Sequence, residues 1–444
     1  MLNLNYKTIL KVALPLMASS FIQSIVLLTD AAFISRYDKT SLSFDAVGNG
    51  GLIYITMFMA LVGLSDGSQI IIARRIGQNN TNAIGRIFGT SIIAHLSLAL
   101  LLFLFIQLVM PDFLMSYSKH KDLGRLQLDF ISIRSYALFF ALFTLSIQAF
   151  FLANGKTWVV LIAALINASS NIVLDYVLIF GKFGLPEMGL KGAAWANTIS
   201  DGLAMTFLVI FIIFSAERKT MQLFKHFSFN FKSFLELFKV GSPLMLQSFI
   251  ALATWTVFFT WIEQVGKFEL TVSQNIRSIY FLAFVPIFGF SATTKTYISQ
   301  YIGRKEFHSL KKIQQRIQLL TILFLLFFFH GALFYPEFLI NMVNPNELYS
   351  EKSAEILRFV AISIFLYGTV SVYFQTINGS GNTFASFIIE VICVGVYMLS
   401  AFLLIKVFHL DIFWIWSVEY IYFGMLGLLS ISYLYFFNWQ KKIV

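Results

Sequence analysis

The feature that most constrains this chain is a series of apolar runs, each long enough to cross a lipid bilayer. A membrane-spanning α-helix needs about 20 predominantly apolar residues in succession, and we find twelve such runs. Runs such as 319–329 lack the polar–apolar alternation that the strands of a membrane β-barrel require. The sequence therefore predicts an all-α polytopic membrane protein with twelve transmembrane helices.

The predicted spans are separated by short connections, except for one longer loop near the middle of the chain. Their approximate limits are 9–34, 50–73, 86–110, 130–153, 157–180, 190–215, 241–264, 272–298, 315–335, 355–377, 383–408 and 411–437. Only 12% of the residues are charged, against about 25% in soluble domains. This composition excludes a soluble enzyme, a disordered chain and a coiled coil.

Lysine and arginine are more frequent in the loops on the side of the membrane that would hold both termini. Arg74 and Arg75 lie there, together with the basic segments 216–240 and 304–316. The positive-inside rule therefore predicts a multi-pass protein of the cell (inner) membrane with both termini in the cytoplasm. The net charge of +10 then reflects loops that face anionic lipids, and no nucleic-acid partner is expected.

The two halves of the chain repeat one another. Pro15-Leu16-Met17 followed by Ser20-Phe21-Ile22 recurs as Pro243-Leu244-Met245 followed by Ser248-Phe249-Ile250. Each half has six predicted spans, an even number, so both insert with one orientation and are related by a pseudo-two-fold axis along the membrane normal. Internal repeats of this kind are typical of transporters.

The repeat predicts two six-helix bundles joined by a linker. The N-terminal lobe would comprise residues 1–215, the linker residues 216–240 and the C-terminal lobe residues 241–444. The linker alternates basic residues with phenylalanines, a pattern that favours an amphipathic helix on the cytoplasmic leaflet.

Several acidic and amide side chains lie within predicted spans, where a charge costs roughly 2.5–3.5 kcal/mol at the bilayer centre. Asp30 lies deep in span 1, and Gln23 lies two turns earlier on the same face. Asn171 and Asp175 share one face of span 5. Asn197 and Asp201 share one face of span 6, and Asp66 lies in span 2; for Asp201 and Asp66, cavity lining or helix capping is the alternative.

The repeat indicates a special role for these acids, because the matching positions of the second half are not acidic. Asp30 corresponds to Phe258 and Asp175 corresponds to Leu399, which leaves Glu390 as the lone deep acid of the second half. We therefore expect a small-cation site in the N-terminal half. Carboxylate and amide oxygens would suit Na⁺, and two crowded acids could instead hold H⁺. A purely structural hydrogen-bond network is the alternative.

Two further expectations concern movement and chemistry. Pro15 precedes Asp30 in span 1 and could serve as a hinge, unless it occupies the first turn of the helix. The sequence contains no phosphate-binding P-loop and no recognisable catalytic motif. We therefore predict a protein that is not an enzyme and that needs no cofactor or metal other than a coupling ion, Na⁺ or H⁺.

The sequence resembles the multidrug and toxic compound extrusion (MATE) family over nearly its whole length. The resemblance rests on the six-plus-six spans, on Pro15, Gln23 and Asp30, and on the stretch from Asn171 to Thr198. It implies a secondary active transporter that exports organic, often cationic, compounds in exchange for Na⁺ or H⁺ by alternating access. It also implies cation ligands at Asp30, Asn171, Asp175 and Asn197 or Thr198, a cavity-lining role for Gln23, and function as a monomer in contact with membrane lipids.

Two other functions compete with this interpretation. A lipid-linked oligosaccharide flippase of the same wider superfamily would need cationic residues for a phosphate-bearing substrate, whereas the distinctive residues here are acids. A membrane-embedded enzyme or scaffold would give no reason for the internal repeat. The identity of the transported small molecule and the choice between Na⁺ and H⁺ are left open by the sequence.

Overall fold

The structure, a computed structural model, describes residues 2–38, 42–117, 121–225, 227–344 and 346–441. These residues are almost entirely helical, and none of them lies in a β-strand. The long helices, in chain order, are α1 (Tyr6–Tyr37), α2 (Leu42–Gly77), α3 (Thr81–Leu108), α4 (Ala137–Asn154), α5 (Trp158–Phe180), α6 (Gly189–Phe214), α7 (Phe231–Val265), α8 (Lys267–Gly303), α9 (Leu310–Phe329), α10 (Glu347–Gly379), α11 (Thr383–Phe402) and α12 (Val418–Phe436).

Shorter helices connect or extend these spans. They are Met110–Tyr117, Lys121–Arg134, Ala216–Thr220, Phe307–Ser309, Gly331–Phe334, Pro336–Val343, Leu403–Val407, Ile412–Ile415 and Trp439–Lys441. Within the described ranges, eleven helices are long and apolar enough to cross a membrane, and α8, which bends by 44°, brings the number to twelve. The predicted all-α, twelve-span fold is therefore confirmed.

Two boundaries differ from the predicted ones. Span 4 was expected to begin at residue 130, but Lys121–Arg134 is a separate helix and α4 begins at Ala137. The linker 216–240 is not one interfacial helix, because it holds only the short helix Ala216–Thr220 before α7 begins at Phe231. An interfacial amphipathic pattern and the first turns of a span look alike in sequence, since both mix lysines with phenylalanines.

The described helices pack into two compact units. The first unit comprises residues 18–245, and the second comprises the residues up to 17 together with those from 246 onward. The division passes through α1 and α7, shortly after Pro15 and Pro243. The lobe limits predicted from the repeat, 1–215 and 241–444, follow sequence similarity rather than packing and stay a prediction.

Within the first unit, the beginning of α7 packs closely against α2. A Cβ atom on Gly63 would lie 2.4 Å from the backbone nitrogen of Met245, and one on Gly67 would lie 2.8 Å from the Cα of Gly241. Small residues four apart allow such close approach of two helices. Arg75, near the end of α2, forms an ion pair with Glu236 of α7.

Within the second unit, the beginning of α1 makes the corresponding contacts with α8. A Cβ atom on Gly289, the repeat counterpart of Gly63, would lie 2.4 Å from Cγ of Met17. Arg304 donates to the backbone oxygen of Leu2 at 3.1 Å, and Tyr297 donates to that of Asn3 at 3.0 Å. Each unit therefore contains the beginning of the other half's first helix.

The closest helix contact near the predicted cation site joins α5 and α6. A Cβ atom on Gly192 of α6 would lie 2.7 Å from the backbone carbonyl of Leu178 in α5. Buried alanines, Ala193 and Ala196, continue this small-residue face along α6. The close approach brings the polar side chains of the two helices toward one another.

We predict that Gly192→Ala lowers the apparent melting temperature of the purified protein by several degrees. The added methyl group meets backbone rather than a movable side chain, and overpacking of this kind costs about 1–3 kcal/mol. Gly395→Ala is the matched control, because a Cβ atom on Gly395 of α11 would have nothing within 4 Å. Equal melting temperatures for the two variants in the same detergent would contradict the packing described here.

Candidate cation site

Three helices of the first unit bring together the four residues expected to bind the cation. Asp30 of α1 is only 8% exposed, and Asn171 and Asp175 of α5 are fully buried. The amide nitrogen of Asn197 in α6 donates to Oδ2 of Asp30 at 2.9 Å. The carboxyl group of Asp175 is near enough to that of Asp30 for the two to interact electrostatically.

These side chains leave several buried polar atoms unsatisfied. Oδ1 of Asp30, both carboxylate oxygens of Asp175, and both amide atoms of Asn171 have no hydrogen-bond partner in the described part of the chain. Burying polar atoms without partners is costly, and more so when they carry charge. The unsatisfied oxygens are hard ligands, which suit Na⁺ or a proton.

A second polar network adjoins this group. Arg134 donates to Asp201 of α6 at 2.9 Å, and Asn167 of α5 donates to the other oxygen of Asp201, also at 2.9 Å. The guanidinium group of Arg134 lies 4.6 Å from the ring centre of Tyr54. Asp201 is therefore the partner of a half-buried arginine rather than a free cavity-lining acid.

Arg134 also interacts electrostatically with Asp30 and Asp175. One guanidinium group thus faces three carboxyl groups, those of Asp30, Asp175 and Asp201. One positive charge cannot compensate three ionised carboxylates, so this group of side chains has room for a further positive charge, carried by an ion or by a proton.

Sequence reasoning missed Arg134, Asn167 and Tyr54. Asn167 could have been found, because it lies one helical turn before Asn171 on the face of α5 that carries Asp175. Arg134 belongs to a short helix that precedes α4, and only the folded chain brings it to Asp201. Tyr54 carries no polar signal that separates it from an ordinary core tyrosine.

The structure distinguishes the two candidate ligands on α6. The hydroxyl group of Thr198 donates to the backbone oxygen of Ala194 in its own helix at 2.8 Å. The side chain of Asn197 contacts Asp30 instead. Asn197 is therefore the residue of this pair that belongs to the acidic group.

The remaining sequence candidates lie elsewhere. Gln23 is exposed on α1. Asp66 is half-buried on α2, beside Gly67 where the beginning of α7 packs. Pro15 is an interior residue of α1 and not part of its first turn, so the hinge prediction keeps its structural basis.

The second unit differs from the expectation of a single deep acid. Glu419 of α12 is as buried as Glu390 of α11. Tyr280 and Tyr397 donate to Glu419 at 2.8 and 3.2 Å, and Tyr422 donates to Glu390 at 2.6 Å. Both carboxyl groups thus have tyrosine partners, unlike Asp175, so the asymmetry between the halves lies in hydrogen bonding rather than in the number of acids.

Comparison with known proteins gives consistent matches. The MatE family model matches residues 15–177 and again residues 243–403. The chain is 28% identical to the probable multidrug resistance protein NorM of Thermotoga maritima, over 99% of this chain and 94% of that protein. It is 22% identical to the probable multidrug resistance protein YoeA of Bacillus subtilis, over 96% and 93% of the two chains.

A solved structure of a mutant of the Vibrio cholerae MATE transporter VcmN has the same fold. Its TM-score is 0.83 at 17% identity, and the superposition covers 98% of each chain. The two matches to the family model begin at Pro15 and Pro243. They confirm the internal repeat that the sequence predicted.

We predict that Asn197→Ala weakens cation binding to the purified protein roughly tenfold, the usual range for the loss of one charge-assisted hydrogen bond. Thr198→Val should bind as the unchanged protein does, because the Thr198 hydroxyl group serves its own helix. Binding would be followed with radioactive Na⁺ and, separately, with a pH-sensitive dye that reports proton uptake. A larger loss in Thr198→Val than in Asn197→Ala would contradict the assignment.

Proposed function

Because this chain belongs to the MatE family, we propose that it is a secondary active multidrug transporter that exports organic compounds in exchange for Na⁺ or H⁺. The curated relatives are described as probable multidrug resistance proteins, which supports efflux as the activity. The observation that carries the ion coupling is the buried pair Asp30 and Asp175, whose carboxylate oxygens are not all satisfied by the protein.

The proposed exchange follows from the charge of this site. When the site is empty, the two neighbouring carboxylates repel one another in a poorly solvated environment. A bound Na⁺ or H⁺ removes that repulsion and allows α1, α5 and α6 to close around the site. Arg134 lowers the cost of the empty state, so the ion can leave again on the other side of the membrane.

A hinge in α1 would allow ion binding at Asp30 to change the bend of this helix. Asp30 lies on the part of α1 that belongs to the first unit, whereas the part before residue 18 belongs to the second. Pro15 removes a backbone hydrogen bond near that division. We propose that ion occupancy at Asp30 changes the bend of α1 and so favours one of two alternating access states.

The location and assembly of the protein follow the same proposal. We place it in the cell membrane with both termini in the cytoplasm, acting as a monomer on small organic substrates. The flippase alternative calls for a cationic site that holds a phosphate group. The polar group of the first unit has three acids, Asp30, Asp175 and Asp201, for one arginine, which favours coupling to a cation.

We predict that Asp30→Asn and Asp175→Asn each abolish export. The chain would be expressed in a drug-sensitive host without its own exporters, and dye efflux would be measured. Each amide keeps the size of the acid but removes the charge that attracts the ion, so efflux should fall to the level of the host alone. Glu390→Gln is the matched control and should retain most of the activity, because the amide oxygen still accepts from Tyr422.

If both aspartate variants exported as the unchanged protein does, the site assignment would be wrong. Complete loss of coupling in Glu390→Gln would move the coupling site to the second unit. Membrane abundance of every variant would be measured in the same cells, so that loss of protein is not mistaken for loss of transport.

The coupling ion can be identified in everted vesicles. A Na⁺ gradient and a pH gradient would be imposed separately, with the ion concentrated inside the vesicle. We expect the unchanged protein to drive dye into the vesicle when its own coupling ion flows out, and Asp30→Asn to respond to neither gradient. Dye uptake that required ATP and no ion gradient would contradict the proposal.

A further inference from the structure

A hollow of about 630 Å³ lies where α6 ends and the linker begins. One side is formed by Ile213, near the end of α6, and the remainder by the linker. The residues that line it are Ile213, Arg218, Lys219, Gln222, Phe224 and Lys225. Three of these six side chains are cationic.

The wall of this hollow is held in place by α3. A Cβ atom on Gly85 of α3 would lie only 2.6 Å from the backbone oxygen of Gln222, so the linker rests directly on the helix. Leu223 is fully buried, and the ring of Phe224 packs edge-on against Phe88 with 6.1 Å between ring centres. Gln222 itself has a left-handed backbone with φ of 51°. The hollow is therefore a preformed feature of the first unit.

Within the described ranges, no ion pair neutralises the positive charges around the hollow. Arg218, Lys219 and Lys225 form no ion pair with any residue in the described ranges. Glu217, the acid beside them in sequence, is bonded to Lys156. Burial raises the pKa of Glu217, but the hydrogen bond and the charge of Lys156 outweigh burial and hold the pKa below its usual value.

The surroundings of the hollow place it at the edge of the hydrocarbon layer. The apolar helix α6 ends at Phe214, which is 84% exposed. Phe227, Phe229 and Phe231, which come after the hollow in the chain, are also exposed. Exposed aromatic rings beside unpaired cations are typical of segments that bind the surface of an anionic membrane.

We propose that this hollow binds the head group of an anionic phospholipid, with the phosphate held by Arg218, Lys219 and Lys225. The guanidinium and ammonium groups are the usual donors to phosphate oxygens. The proposal uses the cytoplasmic position of the linker given under the proposed function. It concerns lipid retention, however, so it stands or fails independently of whether the protein exports drugs.

The test compares lipid retention by three forms of the full chain. They are the unchanged protein, the triple variant Arg218→Gln/Lys219→Gln/Lys225→Gln, and the control Lys305→Gln/Lys311→Gln/Lys312→Gln, which removes three exposed lysines from the basic loop of the second unit. Each would be placed in nanodiscs of phosphatidylcholine with a small fraction of phosphatidylglycerol, and retained lipid would be counted by native mass spectrometry.

We expect the triple variant to lose at least tenfold in phosphatidylglycerol binding, because it removes all three charged donors that would contact the lipid phosphate directly. The control should lose less than threefold. Equal loss in both variants would mean a general effect of charge and would overturn the proposal, as would full retention in the triple variant. Displacement of the lipid by millimolar inorganic phosphate would assign the site to a free anion and would also overturn it.

Two single substitutions keep the test decisive if the triple variant is unstable. Lys219→Gln should reduce phosphatidylglycerol binding severalfold. Lys219→Arg should bind phosphatidylglycerol as the unchanged protein does, because the positive charge remains. Unchanged phosphatidylglycerol binding in Lys219→Gln would reject the site.

Discussion

The buried pair of Asp30 and Asp175 is the constraint on which the rest of the first unit depends. A carboxylate inside a bilayer is stable only with hydrogen bonds or a counter-charge. The protein provides these for only some of the carboxylate oxygens of Asp30 and Asp175. Asn197 bonds one oxygen of Asp30, and Arg134 contributes its charge from beside Asp201. We propose that the unsatisfied remainder is an affinity for a small cation. The small-residue contact between α5 and α6 brings the polar side chains of these two helices toward one another.

The internal repeat explains why the two halves share their helix packing although their buried acids differ in hydrogen bonding. Gly63 and Gly289 occupy matching positions and admit the beginning of α7 and the beginning of α1 in the same way. Duplication thus fixed the helix packing in both halves. The polar side chains of the two halves differ, because they do not take part in these packing contacts. Asp175 has unsatisfied oxygens, whereas tyrosines donate to Glu390 and Glu419. Symmetry of packing therefore does not imply symmetry of ion binding.

The sequence predicted those features that the cost of transfer into lipid dictates. Apolar runs predicted the positions of the spans. The free-energy cost of placing a charge in the bilayer singled out Asp30 and Asp175 as residues of one site without any knowledge of contacts. Contacts between residues far apart in the chain were not predictable, because the spacing of apolar residues along the sequence does not show which helices pack together. Arg134 was missed, because only the folded chain brings it to Asp201. Glu419 was overlooked for the same reason, since its tyrosine partners come from α8 and α11.

The proposed exchange requires an energy of a size that two neighbouring carboxylates can provide. Two like charges about 4 Å apart repel by about 4 kcal/mol at an effective dielectric constant of 20. Moving a two-state protein from about 1:99 to 99:1 takes about 5.5 kcal/mol of differential binding. Under our proposal, a cation bound at Asp30 and Asp175 relieves a repulsion of this order. Because α1 carries Asp30 in one unit and begins in the other, the helix that we propose to respond to the ion is part of both units, and the proposed mechanism needs no relay through intervening side chains.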